Sequence, residues 1–558
     1  MSSISALIGS VQWKPSSRIS LAVLGAWTVL LTILGYLFLV KPGHTYVAVF
    51  LNDVFGIIDG FYRTSIGQIP SVDFKTLYGA ATWYPGGLAM RLGFDAANAL
   101  TLMHLVTASV LAVMACLVCA RRFPLLPSVM FIGFVFCLVL VPMRLGGVFW
   151  HVTHGIFYTR YGWAALAIAL LFYADPTSKS RSGAVIDTAV LACLMLYALY
   201  LKITFGAVVV GFVIVNAVTS SYNRRISLSA LGIFVLALVV IELVSGYNSA
   251  YFSDVFGVIE GAPTPRGGRR QFWSVAEHAG VFLLCLSALV VAYVSGRRRF
   301  FDFAFLVGCI VASIMILRTS GGYSKGLPAL AAVFLVLGEF TRRQGLSEEA
   351  GAREGTVESR IAAIAIFTMM FAFIAEPTVV RVRSLLHGYI QISMLQKTGE
   401  IGVMGVLSDP RNRLDPTLNH DVFGHDPAGH QMYNSIRRSD VPAGEYSAIV
   451  AEGVELLRDS VSADATVLSI EQTSAFSAAL GLRPPANSKP FDYSKKRDTS
   501  GEQAAMQQFF SDARYVMVPE VPYSKKHLEV LIEAYGPYLD EHFIEYRRSP
   551  HWRLYRRR

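Results

Sequence analysis

Charge is what this sequence has least of. Asp, Glu, Lys and Arg make up 16% of its 558 residues, against about a quarter in soluble chains. Hydrophobic residues reach 53% and the mean hydropathy is +0.47, which excludes a single soluble globule. Cysteine is scarce as well. Cys116, Cys119, Cys137, Cys193, Cys285 and Cys309 all lie in apolar stretches and none follows, so no disulfide framework staples the polar C-terminal part. The Cys116-x-x-Cys119 pair sits inside an apolar run and reads as packing rather than metal or redox chemistry. Glycine and proline are not in excess and no internal repeat is found, which removes collagen-like and low-complexity chains; 12% aromatics removes disorder. The length exceeds one core. What is left is a polytopic membrane protein.

The net charge of +10 invites a nucleic-acid reading, but its distribution argues against one. Residues 397–558 hold 20 basic and 22 acidic side chains, so the excess lies entirely in the apolar part, 29 against 17. Basic residues at loop ends set membrane topology. A helix needs about 20 apolar residues to cross, and the first such run is 19–40, preceded by Lys14 and Arg18. It is too long for a signal-peptide core and no small-residue cleavage site follows, so a retained anchor is expected. Further spans are expected near 98–119, 125–142, 157–174, 184–200, 203–219, 227–245, 275–294, 301–317, 323–340 and 359–379, about 11 in all, 157–174 and 301–317 being the shortest. Arg121-Arg122, Arg224-Arg225, the 297–299 arginines and Arg342-Arg343 then share one side with Lys14, Arg18, Lys179 and Arg181, the cytoplasmic one. The outer loops, near 41–97, 143–156 and 246–274, are the long ones. They carry basic residues that topology does not ask for, among them Arg63, Lys75, Arg91, Arg144, Arg160, Arg266, Arg269 and Arg270.

The most informative stretch is the first outer loop, with Asp53, Asp59 and Asp73 just beyond the first span. A carboxylate near the interface is partly desolvated, which raises its pKa and makes it a better base. Asp53, Gly67, Pro70, Asp73-Phe74, Tyr78-Gly79 and Trp83-Tyr84 together resemble the first periplasmic loop of the GT-C superfamily. These are integral-membrane glycosyltransferases using polyprenyl-phosphate-linked sugars, the mannosyl- and aminoarabinosyl-transferase families among them. Ala80 stands where the pattern has proline, and Val54 where an acidic partner of the first Asp is frequent. Weaker similarity continues at Tyr200 to Gly206, Arg318 to Pro328, Ala479 to Pro485 and Trp552 to Arg556.

The resemblance implies a mainly α fold: a GT-C-like membrane bundle over 1–396 and a small C-terminal α/β extracytoplasmic domain over 397–558. It implies a bacterial inner-membrane enzyme, a hexosyl- or pentosyltransferase. A sugar would pass with inversion from a polyprenyl-phosphate donor to an envelope glycan, lipid or protein on the periplasmic side. Asp53 matches the catalytic base of the family. Lys75 falls where some members hold a donor-phosphate lysine. Arg63, Lys202, Arg318 and Lys325 are further phosphate candidates from their places at outer ends of spans, and Asp59 and Asp73 are candidate substrate contacts. The bland alternatives are a helix cap for Asp53, a turn or cap for Asp59, pairing of Asp73 with Lys75 or Arg63, and snorkelling of Lys202.

No cofactor is required by the sequence, and a divalent cation at the acidic loop stays open. His151 and His154 share a helical face and read as structural; His420, His425 and His430 recur at a spacing unlike zinc sites. The alternative function is a transporter or flippase of lipid-linked saccharide. It would place charges near mid-bilayer in repeated halves, whereas here Glu242 is the clearest interior charge. In the tail, 465–470 and 514–518 read as strands, 526–535 as a helix, and 543–546 with 552–555 as a final strand pair.

Overall fold

The structure is a computed structural model that describes residues 18–123, 125–143, 148–174, 176, 179–219, 221–260, 308, 357–398, 402–408, 441, 443–486, 488–491 and 502–558. It is mainly helical, with strands concentrated near the C-terminus. Helix α1 (Arg18–Gly35) runs on through a π turn to Val40, and a two-residue strand β1 (Thr45–Tyr46) follows. The first outer loop is itself helical: α2 (Leu51–Ser65) and α3 (Ala80–Arg91). Then come α4 (Ala96–Arg122), α5 (Leu125–Leu140), α6 (Phe157–Leu170), α7 (Arg181–Leu201), α8 (Ile203–Thr219), α9 (Ser221–Ser245), α10 (Tyr247–Glu260) and the 41-residue α11 (Val357–Lys397).

Four helices are long and apolar enough to cross a membrane, over Ser20–Val40, Ala96–Arg122, Arg181–Leu201 and Ser221–Ser245; α5 and α8 are apolar but shorter. The expected spans near 275–294, 301–317 and 323–340 lie outside the described residues apart from Gly308, so a total of about 11 is not established. The 157–174 span is only 14 residues of α-helix plus a short 3₁₀ turn. All of α6 is buried except Tyr158, so it is a central helix wrapped by its neighbours. The long outward faces of α1 and α9 carry exposed leucines and valines, as lipid-facing helices do.

The two ends of the bundle differ. At one end Asp187 of α7 is fully buried between two arginines of α4. Arg122 donates to it at 2.7 and 3.0 Å and Arg121 also pairs with it, while Tyr222 of α9 donates to it at 3.3 Å. This end carries Arg121-Arg122, one of the pairs from which a cytoplasmic side is expected. The opposite end holds α2, α3 and the C-terminal unit. It is stitched by β1 pairing in parallel with β2 (Val406–Leu407), Thr45 against Val406 and Tyr46 against Leu407.

The C-terminal unit contains α12 (Ala443–Arg458), β3 (Val467–Ser469), α13 (Phe476–Leu480), α14 (Glu502–Phe510), β4 (Tyr515–Pro519), α15 (Lys525–His542), β5 (Phe543–Arg548) and β6 (Trp552–Arg557). Its sheet has the order β3-β4-β6-β5, parallel for the first pair and antiparallel for the rest. Alternation along β4 buries both faces. Val516 and Val518 pack with Phe510, Leu531 and Leu539, whereas Tyr515 and Met517 join Trp552 and α12 in an apolar cluster that continues into α2 and the bundle.

Candidate active site

Two helices at the end of the bundle that holds the C-terminal unit start from a non-glycine residue in the left-handed region. Phe50 (φ +58°) precedes α2, and Ile156 (φ +57°) precedes α6. Such a conformation is costly, above all for a β-branched residue, and persists only where the surroundings enforce it. Both starts border one small pocket. Its walls are Asp53 and Ile57 of α2, Tyr78, Thr82 and Trp83 around the start of α3, Ile156, Phe157 and Tyr158 at the start of α6, and Phe491 of the C-terminal unit.

Asp53 lies in the first turn of α2, where the helix dipole favours a carboxylate. It is half-buried. The N-cap position is Phe50 rather than Asp53. Gly155 sits against it: a Cβ there would come 3.1 Å from Asp53 Cβ and 3.5 Å from its Oδ2.

The loop carrying Gly155 is anchored by a buried chain of hydrogen bonds. His154 Nε2 meets Thr45 Oγ1 at 2.5 Å, His154 Nδ1 meets His104 Nε2 at 2.9 Å, and His104 Nδ1 reaches Tyr161 OH. Burial, with Arg160 nearby, pulls His154 down to about 3 and keeps it neutral. Arg160 is itself buried and donates to the carbonyls of Val139 (3.2 Å) and Val141 at the end of α5, partners that a helix C-terminus leaves free. That explains one outer-loop arginine structurally.

The remaining wall is aromatic. Tyr78 and Tyr158 pack at a tilt of 35° with centroids 4.3 Å apart and their hydroxyls 3.0 Å apart. Lys202 Nζ lies 5.3 Å from the centre of the Tyr158 ring. This lysine occupies the break between α7 and α8, and its burial pulls it down to about 8. Tyr78-Gly79 is held against the end of α7. A Cβ on Gly79 would sit 2.1 Å from the Tyr200 carbonyl oxygen, and Thr82 Oγ1 donates to the Leu201 carbonyl at 3.2 Å.

Asp53 thus lines the pocket and Lys202 lies beside its Tyr158 wall, whereas Asp59, Arg63, Asp73 and Lys75 are not among the lining residues. Asp59 is fully buried, bonded by Arg63 Nε at 2.7 Å. The rest of the Arg63 guanidinium reaches the C-terminal unit, at the Pro485 carbonyl (3.2 Å) and Ser488 Oγ (2.8 Å). Asp73 is exposed and closes a turn by accepting the Ile69 N–H at 2.7 Å. Lys75 is exposed, close enough to Asp254 of α10 for their charges to interact. Arg318 and Lys325 lie outside the described residues, as do His420, His425 and His430.

Among the described residues no three His, Cys, Asp or Glu side chains gather as a metal site would need, and Val54 beside Asp53 is apolar and buried. Sequence reasoning missed Tyr158, His104 and Phe491. Tyr158 and His104 carry no local signal, and Phe491 comes from more than 400 residues downstream.

No family model matches the chain, and no curated protein matches it. Three solved structures to which it is similar are two of ArnT from Cupriavidus metallidurans and one of an archaeal oligosaccharyltransferase. The apo ArnT structure gives a TM-score of 0.46 at 13% identity, covering 95% of this chain and 98% of that one. ArnT bound to undecaprenyl phosphate gives 0.45 at 13% identity with the same coverage. AglB from Archaeoglobus fulgidus, in complex with an inhibitory peptide and a dolichol-phosphate, gives 0.40 at 11% identity, covering 93% of this chain and 72% of that one. At these scores the likeness is weak, and a functional reading rests on the residues of the pocket.

Proposed function

We propose that this chain is a membrane glycosyltransferase moving a sugar from a polyprenyl-phosphate donor to an acceptor of the cell envelope, with Asp53 as general base. The observation that carries this is a half-buried carboxylate in an aromatic pocket at one end of an apolar bundle, with the Lys202 ammonium beside the ring of Tyr158, one of the pocket's walls. A lipid-borne phosphate lies at the level of a membrane interface, and that is where such a pocket would meet it. Further support is the loop pattern around Asp53, Asp73-Phe74 and Tyr78-Gly79.

In this reading an acceptor hydroxyl attacks the anomeric carbon from the face opposite the phosphate. A new C–O bond forms as the bond to the phosphate oxygen breaks, and that oxygen keeps the electron pair. Asp53 takes the hydroxyl proton, and protonated Lys202 neutralises the departing phosphate. Inversion follows from the single displacement. The pocket side of the bundle, with the C-terminal unit, is then periplasmic. No step is routed through a cation.

The test offers purified protein in lipid vesicles a panel of radiolabelled polyprenyl-phosphate hexoses and pentoses, with an envelope extract as acceptor. Label in an acceptor product, from at least one donor, is the expected result. Label that crosses the vesicle membrane still attached to its lipid would favour the flippase alternative instead.

A further inference from the structure

Among the described residues, one side chain of the C-terminal unit lines the pocket, that of Phe491. Phe491 sits 6.0 Å from Tyr78 in an edge-on contact and 6.3 Å from Trp83, centroid to centroid. It lies so close to α2 that a Cβ on Gly56 would come 2.7 Å from its ring and 2.9 Å from the Pro490 carbonyl. The stretch leading to it is held at several points around Asp53. Arg63 binds Ser488 and Pro485, and the charge of Lys489 acts on Asp254. Asn52, the neighbour of Asp53, donates to Gln472 at 3.2 Å. An appended support domain would need none of these contacts beside the carboxylate.

The pocket's aromatic residues are not equivalent. Trp83 is fully buried and Tyr78 nearly so, each tied by hydrogen bonds. Tyr158 and Phe491 are the two that stay half-exposed, and Tyr78 touches both. Lys202 marks the Tyr158 side as the place for an anion. A ring joined to that anion through one oxygen extends away from it along Tyr78, which leads to Phe491. The apolar face of a pyranose, with its polarised C–H bonds, suits the negative face of an aromatic ring. We propose that Phe491 is a sugar-stacking, specificity-determining residue, so that the C-terminal unit completes the donor-sugar subsite. This rests on the glycosyltransferase reading given above.

Two measurements test it and fail separately. The first needs no turnover: in the full chain, in lipid, Phe491 is replaced by p-benzoylphenylalanine and irradiated. Cross-links to peptides from 52–63 or 78–84 are expected; cross-links confined to 443–558 would overturn the placement. The second uses the labelled polyprenyl-phosphate sugars. Phe491→Ala should raise the donor KM about three- to tenfold, the worth of one aromatic contact, with little change in kcat. It should also alter the preference between hexose and pentose donors. Phe491→Tyr should restore wild-type values, whereas Phe491→Leu, apolar but without a π face, should not. Wild-type kinetics in Phe491→Leu would overturn stacking. A wild type that transfers from no donor would overturn the enzyme reading and the sugar subsite with it, while the cross-link would still decide where Phe491 sits.

Discussion

Asp59 and Asp73 look alike in the sequence, as acidic residues of one loop, and differ completely in surroundings. Asp59 is sealed against Arg63, while Asp73 caps an exposed turn. Breaking a buried ion pair strands a charge and costs about 3–5 kcal/mol, whereas an exposed interaction is worth at most about 1 kcal/mol. Arg63→Ala should therefore lower the thermal unfolding midpoint in detergent strongly, and Asp73→Asn hardly at all. Equal shifts would contradict the assignment. The sequence offered Arg63 as a phosphate ligand because it could not show Ser488 and Pro485 closing over it. Lys202 stands between two apolar runs, a place that snorkelling explains as readily as phosphate binding, and the structure sets it beside the Tyr158 ring. Its pKa of about 8 gives a testable sign. The charge is present below that value and lost as pH rises through it, so donor kcat/KM should fall above pH about 8. Lys202→Arg, which stays charged, should keep activity to higher pH. An unchanged alkaline limb in Lys202→Arg would remove the lysine from the site.

Among the elements, the strands of the C-terminal unit were readable because alternation and turn residues are local. The runs at 465–470 and 514–518 became β3 and β4, and the final pair became β5 and β6. The 526–535 helix extends over Lys525–His542. Helices α2 and α3 were not foreseen: glycines and polar residues interrupt them, and they are held by burial against each other rather than by composition. Glu471, two residues beyond β3, was equally silent. It is buried at the join with α2, and burial raises it to about 8. Between 4.5, its ordinary value, and about 8, the folded chain keeps a proton that the unfolded chain has released. Its contribution to stability is therefore full below 4.5 and lost as pH rises towards 8. Glu471→Gln should remove that slope, so its unfolding midpoint relative to wild type should be higher near pH 8 than near pH 5. A difference independent of pH would mean that the group is ionised in the folded state.

For the whole molecule, one arginine pair, Arg121-Arg122, closes on Asp187 at one end of the bundle, and the acidic loop gathers with the C-terminal unit at the other. What composition could not reveal is that the C-terminal unit shares an apolar cluster with α2 and sends Phe491 into the pocket. Chain separation hides such contacts, because nothing local in 484–491 refers to residues 52–63. The decisive claim is that Asp53 is the base of the transfer. The most direct check compares wild type with Asp53→Asn in the vesicle assay, using the labelled donor that wild type accepts and confirming by unfolding midpoint that the variant is folded. Loss of transfer by about 10²–10⁴-fold, with donor still bound, is the expected result. Wild-type transfer by folded Asp53→Asn would contradict it.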